Sequence, residues 1–376
     1  MVMKMGKIIK TAHGSIRTPF FMPDATRGFV KLLNGEEVKR AGVKSLVVNT
    51  FHLYLQPGME VIKKAGGIHK FIGWDGPILS DSGGFQVFSL IHRNPQMGKI
   101  NDDKVIFKSP LDGSKHELTP EKSVQIQFDL GVDMMVCLDD CPPNDFDKAK
   151  LKKSVERTIQ WARRCRIEYD KQIKKRKMKE GKRPLLFSVI QGGAELDLRK
   201  YCAEELVKIG FDGYGFGARP VDKDGNFLGK VLEFTADLIP KNSIRFALGI
   251  GLPEDIVRCA EMGWDMFDCV IPTREGRHGK LFFWKRSPKL QITNYKLQIK
   301  SKIQNPKFFY QTFNISNSKF AKDFSPINSE SKLPELKKYS KAYLHHLFRL
   351  DEPLGARLAS LNNLEFYMDL MEKLKI

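Results

Sequence analysis

The feature that most constrains the fold of this chain is a series of short apolar runs, each ending on a polar residue or a glycine. SLVVNT ends at Asn49, PILSD at Asp81 and MMVCLDD at Asp139. LLFSVIQGG ends at Gln191, GYGFGA passes Gly217, RFALGIG passes Gly249 and MFDC ends at Asp268. Such runs read as strands, and helix-like stretches lie between several of them. TPEKSVQIQFDLG offers Thr119 as N-cap, Pro120 at the first helical position and Gly131 as the close. Between 148 and 170, Leu151, Val155, Ile159, Ala162 and Tyr169 fall roughly on one helical face. Strands alternating with helices predict parallel βα units, and polar residues at successive strand ends are where (β/α)8 barrels place their chemistry. A doubly wound sheet also alternates. However, no GxGxxG follows the first strand, and the polar strand ends run through most of the chain. The expected fold is therefore α/β, a (β/α)8 TIM-type barrel with a C-terminal helical subdomain and an insertion.

At 376 residues the chain has room for one large domain or two, and 41% hydrophobic residues can fill a substantial core. No run of ~18 apolar residues predicts a membrane span, and the N-terminal MVMKMGKIIKTAHGS lacks the apolar stretch of a signal peptide. The six cysteines are scattered, which is not a disulfide framework and fits a reducing cytoplasm. Cys137 and Cys141 have no nearby histidines to complete a zinc set. A net charge of +19 favours a polyanionic partner, most plausibly nucleic acid, with lysine-rich insertions as the plainer explanation.

Two segments look unlike a barrel. KQIKKRKMKEGKR at 171–183 reads as a solvated helix end or an RNA contact. The stretch 284–319 is rich in Lys, Asn, Gln and Ile and carries KLQI twice, at 289–292 and 296–299. Two copies do not make a repeat architecture, so this is expected to be an insertion, either a hairpin-like excursion or partly disordered. The expected division is 1–283 with 339–376 as catalytic barrel and C-terminal helices, 284–319 as insertion and 320–338 as a separate segment. In the tail, Tyr343, Leu344, Leu347 and Phe348 give one apolar stripe, and Leu364, Tyr367, Leu370, Met371 and Leu374 another.

The chemistry concentrates in FDCVIPTREGRHG (267–279) and LSDSGGFQVFSL (79–90). Two carboxylates in one site can divide the work, one as ionised nucleophile and one as acid or base. In retaining glycosyl transfer the nucleophile forms a covalent ester with the sugar. Asp268 and Asp81 suit these roles, although either aspartate can equally cap a helix or pair with an arginine. The Ser82-Gly83-Gly84 turn lets a ligand approach the backbone closely. Phe85 after it can stack on a planar base or belong to the core. Asp139 and Gln191 suit the edge of a purine-like base, and Asn49 and His52 can orient a carboxylate or contact ribose. Arg274 and Arg277 can hold phosphates or read bases, or support Asp268 electrostatically.

These residues carry a resemblance. HGSIRTPFFMP, VVNTFHLYLQPG, ILSDSGGFQVFSL, DDCPP, VIQGG, FDGYGFG, ALGIGLPEDI, FDCVIPTREGRHG, KDFSP, YSKAYLHHLF and LEFYMDLM run in order from about residue 12 to 374. In this the chain resembles the bacterial tRNA-guanine transglycosylase (queuine tRNA-ribosyltransferase) family. The resemblance implies a modified (β/α)8 barrel that exchanges the wobble guanine of certain tRNA anticodons for a 7-substituted 7-deazaguanine by double displacement. It implies Asp268 as nucleophile on ribose C1′ and Asp81 as general acid/base. Asp139 and Gln191 are implied to recognise the base, Phe85 to stack on it, and Cys141, Gly217, Ala218 and Leu248 to line its pocket. Arg274 and Arg277 are implied to contact the anticodon loop. The implied partners are tRNA and a 7-deazaguanine base, in the cytoplasm and without a membrane.

Two departures from the family pattern matter. The family's CxCxxC motif and distant histidine, a zinc set, correspond here to Ser331, Leu333, Leu336 and Asn362, so no zinc and no other cofactor is expected. Leu333 and Leu336 are expected to fill that volume by packing. In the family this subdomain supports the homodimer and tRNA binding, so both are expected to be weakened. After Gly217 the family's GGLAVGE-like residues are replaced by GARPVDKDGNFLG, either a local loop change or an altered choice of incoming base, such as queuine itself. Two other functions remain open on the residues alone: a catalytically silent RNA-binding paralogue that partners an active subunit, and a transglycosylase acting on another nucleic-acid site.

Overall fold

Eight short parallel strands lie side by side in the order in which the chain makes them. They are Phe20–Pro23, Leu46–Asn49, Ile78–Asp81, Met134–Val136, Leu185–Ile190, Gly213–Phe216, Ile244–Ala247 and Met266–Cys269. Seven neighbouring pairs are joined by ladders, including the last strand with the first, where Asp268 lies opposite Met22. The remaining gap, between the first and second strands, is closed by a parallel bridge from Asp24 to Val47 and by the Ala25 N–H donating to the Val47 carbonyl at 2.8 Å. The ring is therefore a closed (β/α)8 barrel, as the alternation of runs predicts. The computed structural model describes residues 6–143, 146–222, 224–285 and 309–375.

The alternation of side chains along a strand sorts the apolar runs into two cores. Phe20, Met22, Val47, Leu79, Met134, Val136, Phe187, Val189, Phe246 and Met266 fill the barrel interior. Their neighbours Phe21, Val48, Ile78, Met135, Leu186, Phe216 and Phe267 face outward into the helix layer. An antiparallel hairpin, Ile8–Thr11 with Gly14–Arg17, plugs the amino end of the barrel by adding Ile9 and Ile16 to the interior cluster. Burying apolar area at ~25 cal/mol per Å² makes this interior a main source of stability, and it leaves the carboxyl end of the ring open for polar groups.

The helix signals hold. Thr119 caps the helix Pro120–Leu130 by accepting from the Lys122 N–H, and Gly131 ends it in the left-handed region. The long helix Lys148–Lys175 buries Leu151, Val155, Ile159, Ala162 and Tyr169. The basic run that follows is partly pinned, Arg176 on Asp129 and Arg183 on Asp212. A small antiparallel sheet, Gly98–Ile100, Val105–Lys108 and Lys115–Leu118, stands between the third and fourth barrel strands. Nothing in the apolar pattern announces it, because only Val105, Phe107 and Leu118 of its strands are buried.

Strands Lys280–Trp284 and Tyr310–Asn314 pair antiparallel, with Trp284 opposite Tyr310. The insertion expected at 284–319 is corrected at its end, since Phe309, Tyr310 and Ile315 are buried in the main core. Its segment 286–308, with both KLQI copies, lies outside the described residues. The final helix, Pro353–Leu374, buries Leu364, Tyr367, Leu370 and Met371 as its stripe predicts. The other stripe needs correction at Tyr343, which is exposed with its ring tilted against Tyr339, while Leu344 and Leu347 turn inward. Among the described residues no helix is long and apolar enough to cross a membrane.

Candidate active site

The inward rows of the barrel continue past the last apolar side chain at the carboxyl end. Stepping two residues on from Val47, Leu79, Val189, Phe246 and Met266 gives Asn49, Asp81, Gln191, Leu248 and Asp268. The period of two that buries the strands therefore also gathers these side chains over one opening. The structure brings together the two carboxyls singled out in the sequence. Asn49 Nδ2 donates to Asp81 Oδ2 at 2.8 Å, and the Gly249 N–H donates to Asp268 Oδ1 at 2.9 Å.

Both carboxyls sit deep in the cleft while keeping some solvent access, and burial dominates their titration. It pushes Asp81 up to about 6, against the Ser82 and Gly83 N–H groups, Asn49 and Gln86, which favour its charged form. It pushes Asp268 up to about 7, aided by the negative charges of Asp81 and Asp24 and opposed by the Gly249 N–H. Gly83 makes this turn possible. Its φ is +83°, and a Cβ there would lie 2.6 Å from the Phe51 Cβ.

Asp139 and Gln191 form the second half of the site. Gln191 is fully buried and donates from Nε2 to Asp139 Oδ2 at 2.6 Å. Burial, with Asp81 and Asp140 close by, pushes Asp139 up to about 7 although the Gln191 bond favours its anion. The buried Gln191 Oε1 has no partner. A buried acceptor left unpaired costs about 1–3 kcal/mol, so this oxygen marks a place for a donor. Gly217 faces it closely, since a Cβ on Gly217 would lie 2.5 Å from the Gln191 carboxamide. Cys141 stands beside the pair. Its thiol is pushed up to about 12 by burial and by Asp139, and it receives the Ala218 N–H. Leu248 packs partly buried on the interior cluster.

Ala218 has a φ of +86°, a backbone region that favours glycine. Ala218→Gly should therefore raise stability by about 0.5–1 kcal/mol through relief of strain, with the pocket intact. A urea midpoint that falls would show that the methyl group packs usefully.

Several participants were not singled out in the sequence. Arg199 is completely buried on the helix Leu196–Ile209. It donates to the carbonyls of Gly193 at 2.7 Å, Ile190 at 3.1 Å and Gly217 at 2.8 Å, and lies 4.1 Å over the Phe216 ring. Gln86 reaches Asp81, and Asp24 adds a third carboxylate near Asp268. Asp24 ends the FFMP run, so the strand-end rule that picked the other aspartates was available for it too. Burial, with Arg27 nearby, lowers His52. Phe85 is 47% exposed at the mouth, not core. Arg274 is exposed beside Glu275 on the helix Ile271–Arg277. Arg277 is half-buried, its charge disfavoured by burial and Arg274 and favoured by Asp24.

A closed parallel barrel whose strand ends converge three carboxyls, a carboxamide and an exposed aromatic ring at one opening has the architecture of a (β/α)8-barrel enzyme. Comparison narrows the class. The family model described as Queuine tRNA-ribosyltransferase matches residues 4–376, and the chain belongs to this family. It is 40% identical over 372 residues to the Queuine tRNA-ribosyltransferase of Halothermothrix orenii, covering 99% of this chain and 89% of the relative. It is 41% identical over 368 residues to that of Caldanaerobacter subterraneus subsp. tengcongensis, covering 98% and 88%. The relative from Lysinibacillus sphaericus is 41% identical over 368 residues, covering 98% and 87%.

Proposed function

We propose that this chain carries out its family's tRNA-guanine transglycosylation. It exchanges the wobble guanine of a tRNA anticodon for a 7-substituted 7-deazaguanine. The observation that carries the reading is the placement of Asp81 and Asp268 together at the open end of the barrel, each with its own polar support. Asp268 attacks ribose C1′ as a carboxylate, and the bond from C1′ to the guanine nitrogen breaks. Guanine takes a proton from Asp81 and leaves as the neutral base. The incoming base then gives its ring N–H proton to the Asp81 carboxylate as its nitrogen attacks C1′, and Asp268 departs as a carboxylate. The raised proton affinity of Asp81 suits this shuttling near neutral pH, whereas Asp268, raised to about 7, attacks only from its ionised form, so exchange should quicken as pH rises through about 7. Because the carboxyls interact, they titrate as a set.

The unpaired Gln191 Oε1 supports recognition of a base edge that carries N–H donors, with Asp139 as second acceptor. Phe85 offers an exposed face for stacking. Cys141, Gly217, Ala218 and Leu248 form the wall, and Arg274 and Arg277 contact the anticodon loop. The cytoplasm is the expected setting.

The proposal extends to the tail, where the family's zinc set does not fit the residues present. Ser331 donates to Glu365 Oε2 at 2.5 Å, and Asn328 Nδ2 donates to Asn362 Oδ1 at 3.0 Å. Leu333 and Leu336 are buried. Apolar packing and side-chain hydrogen bonds thus hold the 320–338 segment where thiolates would hold a metal. A homodimer through this subdomain is correspondingly weakened.

The test is incubation with radiolabelled guanine and an unmodified tRNA whose anticodon begins with guanine. Label should enter that tRNA and not one altered at that position. Binding should weaken steeply with salt, because the +19 charge meets phosphates. Failure of exchange with any such tRNA would remove the reading.

A further inference from the structure

We propose that His13, His69 and Asp133 form a zinc-type divalent cation site at the amino end of the barrel, opposite the catalytic opening. The ligand atoms of the three side chains lie within 4.8 Å of one another. They come from three separate elements. His13 sits in the turn of the plug hairpin, His69 on the helix Ile68–Ile72, and Asp133 just before the strand Met134–Val136.

The hydrogen bonding prepares His69 as a ligand. Its Nδ1 lies 3.0 Å from the Trp74 carbonyl, which can only accept, so Nδ1 carries the proton. In the neutral ring, Nε2 then presents its lone pair, the second-shell arrangement common in metal-binding histidines. Nε2 is buried without a hydrogen-bond partner, although Asp133 Oδ2 is only 3.2 Å away. The approach is close but too poorly aligned for donation. Two acceptors side by side in a dry place call for a cation between them.

The Asp133 side chain is fully buried, with the Ile78 N–H donating to Oδ2 at 2.9 Å and the His13 N–H to Oδ1 at 3.1 Å. Its Oδ1 lies 2.9 Å from His13 Nδ1. The His13 side chain is 38% exposed and stacks on His69 at 3.6 Å, so it can tilt to admit an ion without disturbing the core. A cleft of about 170 Å³ lined by His13, Phe128, Asp133 and Lys182 gives the entry path. Arg183, also at this cleft, is held by both Asp212 oxygens at 2.8 Å.

Two imidazoles and one carboxylate select a borderline ion such as Zn²⁺ over Mg²⁺ or Ca²⁺, and leave a fourth position for water. The ion would staple the plug hairpin to the barrel floor. Its expected effect is on stability and not on base exchange, so the proposal stands apart from the catalytic reading.

The full chain, stripped with chelator, is titrated with Zn²⁺ and with Co²⁺ alone. One ion per chain should bind, Co²⁺ should give the visible bands of a four-coordinate N/O site, and saturation should raise Tm by about 3 °C. His13→Ala and His69→Gln should each weaken binding at least ~100-fold, while His13→Ala keeps the exchange rate and loses the zinc-dependent rise in Tm. Absence of saturable uptake by ~100 μM Zn²⁺ would overturn the site. So would zinc that survives both variants, which would also reopen the reading of the 320–338 segment as metal-free.

Discussion

Asp268→Asn is expected to abolish base exchange and, above pH 7, to make the protein more stable. The loss of activity follows from chemistry. A carboxamide cannot form the ester to ribose, and removing a covalent nucleophile costs at least ~10³-fold in rate. The gain in stability follows from linkage. Burial raises Asp268 from 3.8 to about 7 in the folded chain. A group raised on folding favours the native state fully below its unfolded value, and that contribution is lost as pH rises through about 7. At pH 8 the folded chain therefore holds a buried anion that the unfolded chain would solvate. Asparagine keeps the shape and can still accept the Gly249 N–H, but it carries no charge. The variant should gain ~2 kcal/mol at pH 8, about a third of that at pH 5 and almost nothing at about pH 3. Thermal melts at these pH values, with a gel for the tRNA adduct, check both halves. An adduct in the variant, or a lower Tm at pH 8, would contradict the assignment. Asp81 and Asp139, raised from 3.8 to about 6 and about 7, predict that wild-type stability itself declines between about pH 4 and 7 and levels off above.

The same period-two logic explains what could be read in advance. A strand that alternates between barrel interior and helix layer must end with an inward side chain at a fixed step. The polar residues closing SLVVNT, PILSD, LLFSVIQ and MFD therefore had to converge if the runs formed a barrel. Asn49, Asp81, Gln191 and Asp268 were legible for that reason. The inward packing of Leu333 and Leu336 was legible because both are large apolar side chains, and both are buried. The sheet between 98 and 118 was hidden because its solvent-facing positions blur the alternation. Phe85 stayed ambiguous because an aromatic residue after a glycine turn suits core and mouth equally, and only its exposure separates them. The strained backbone at Ala218 leaves no mark in composition. Arg199 was hidden for another reason. Sequence reading places arginine at the surface by default, and the carbonyls that hold this one belong to turns whose shape is set by the tertiary fold.

That hidden arginine predicts the largest loss of stability outside the hydrophobic core. Arg199 forms no ion pair among the described residues, and burial lowers its proton affinity to about 9. Its charge is accommodated by three carbonyls and the face of Phe216. Arg199→Met keeps much of the volume but takes the donor from the Gly193 and Gly217 carbonyls, while Ile190 keeps the Gly217 N–H, at an expected cost of about 3–5 kcal/mol. Lysine should not rescue, since one ammonium cannot reproduce the planar fork that spans Ile190, Gly193 and Gly217. The site feels the change through geometry, because Ile190 precedes Gln191 and Gly217 precedes Ala218. With those turns loosened, KM for the base should rise about tenfold while kcat at saturation changes less, the pattern of lost positioning and not of lost chemistry. A variant with unchanged denaturant midpoint would show that water replaces the guanidinium at little cost. A fall in kcat with unchanged KM would place Arg199 in the chemical step and not behind the pocket.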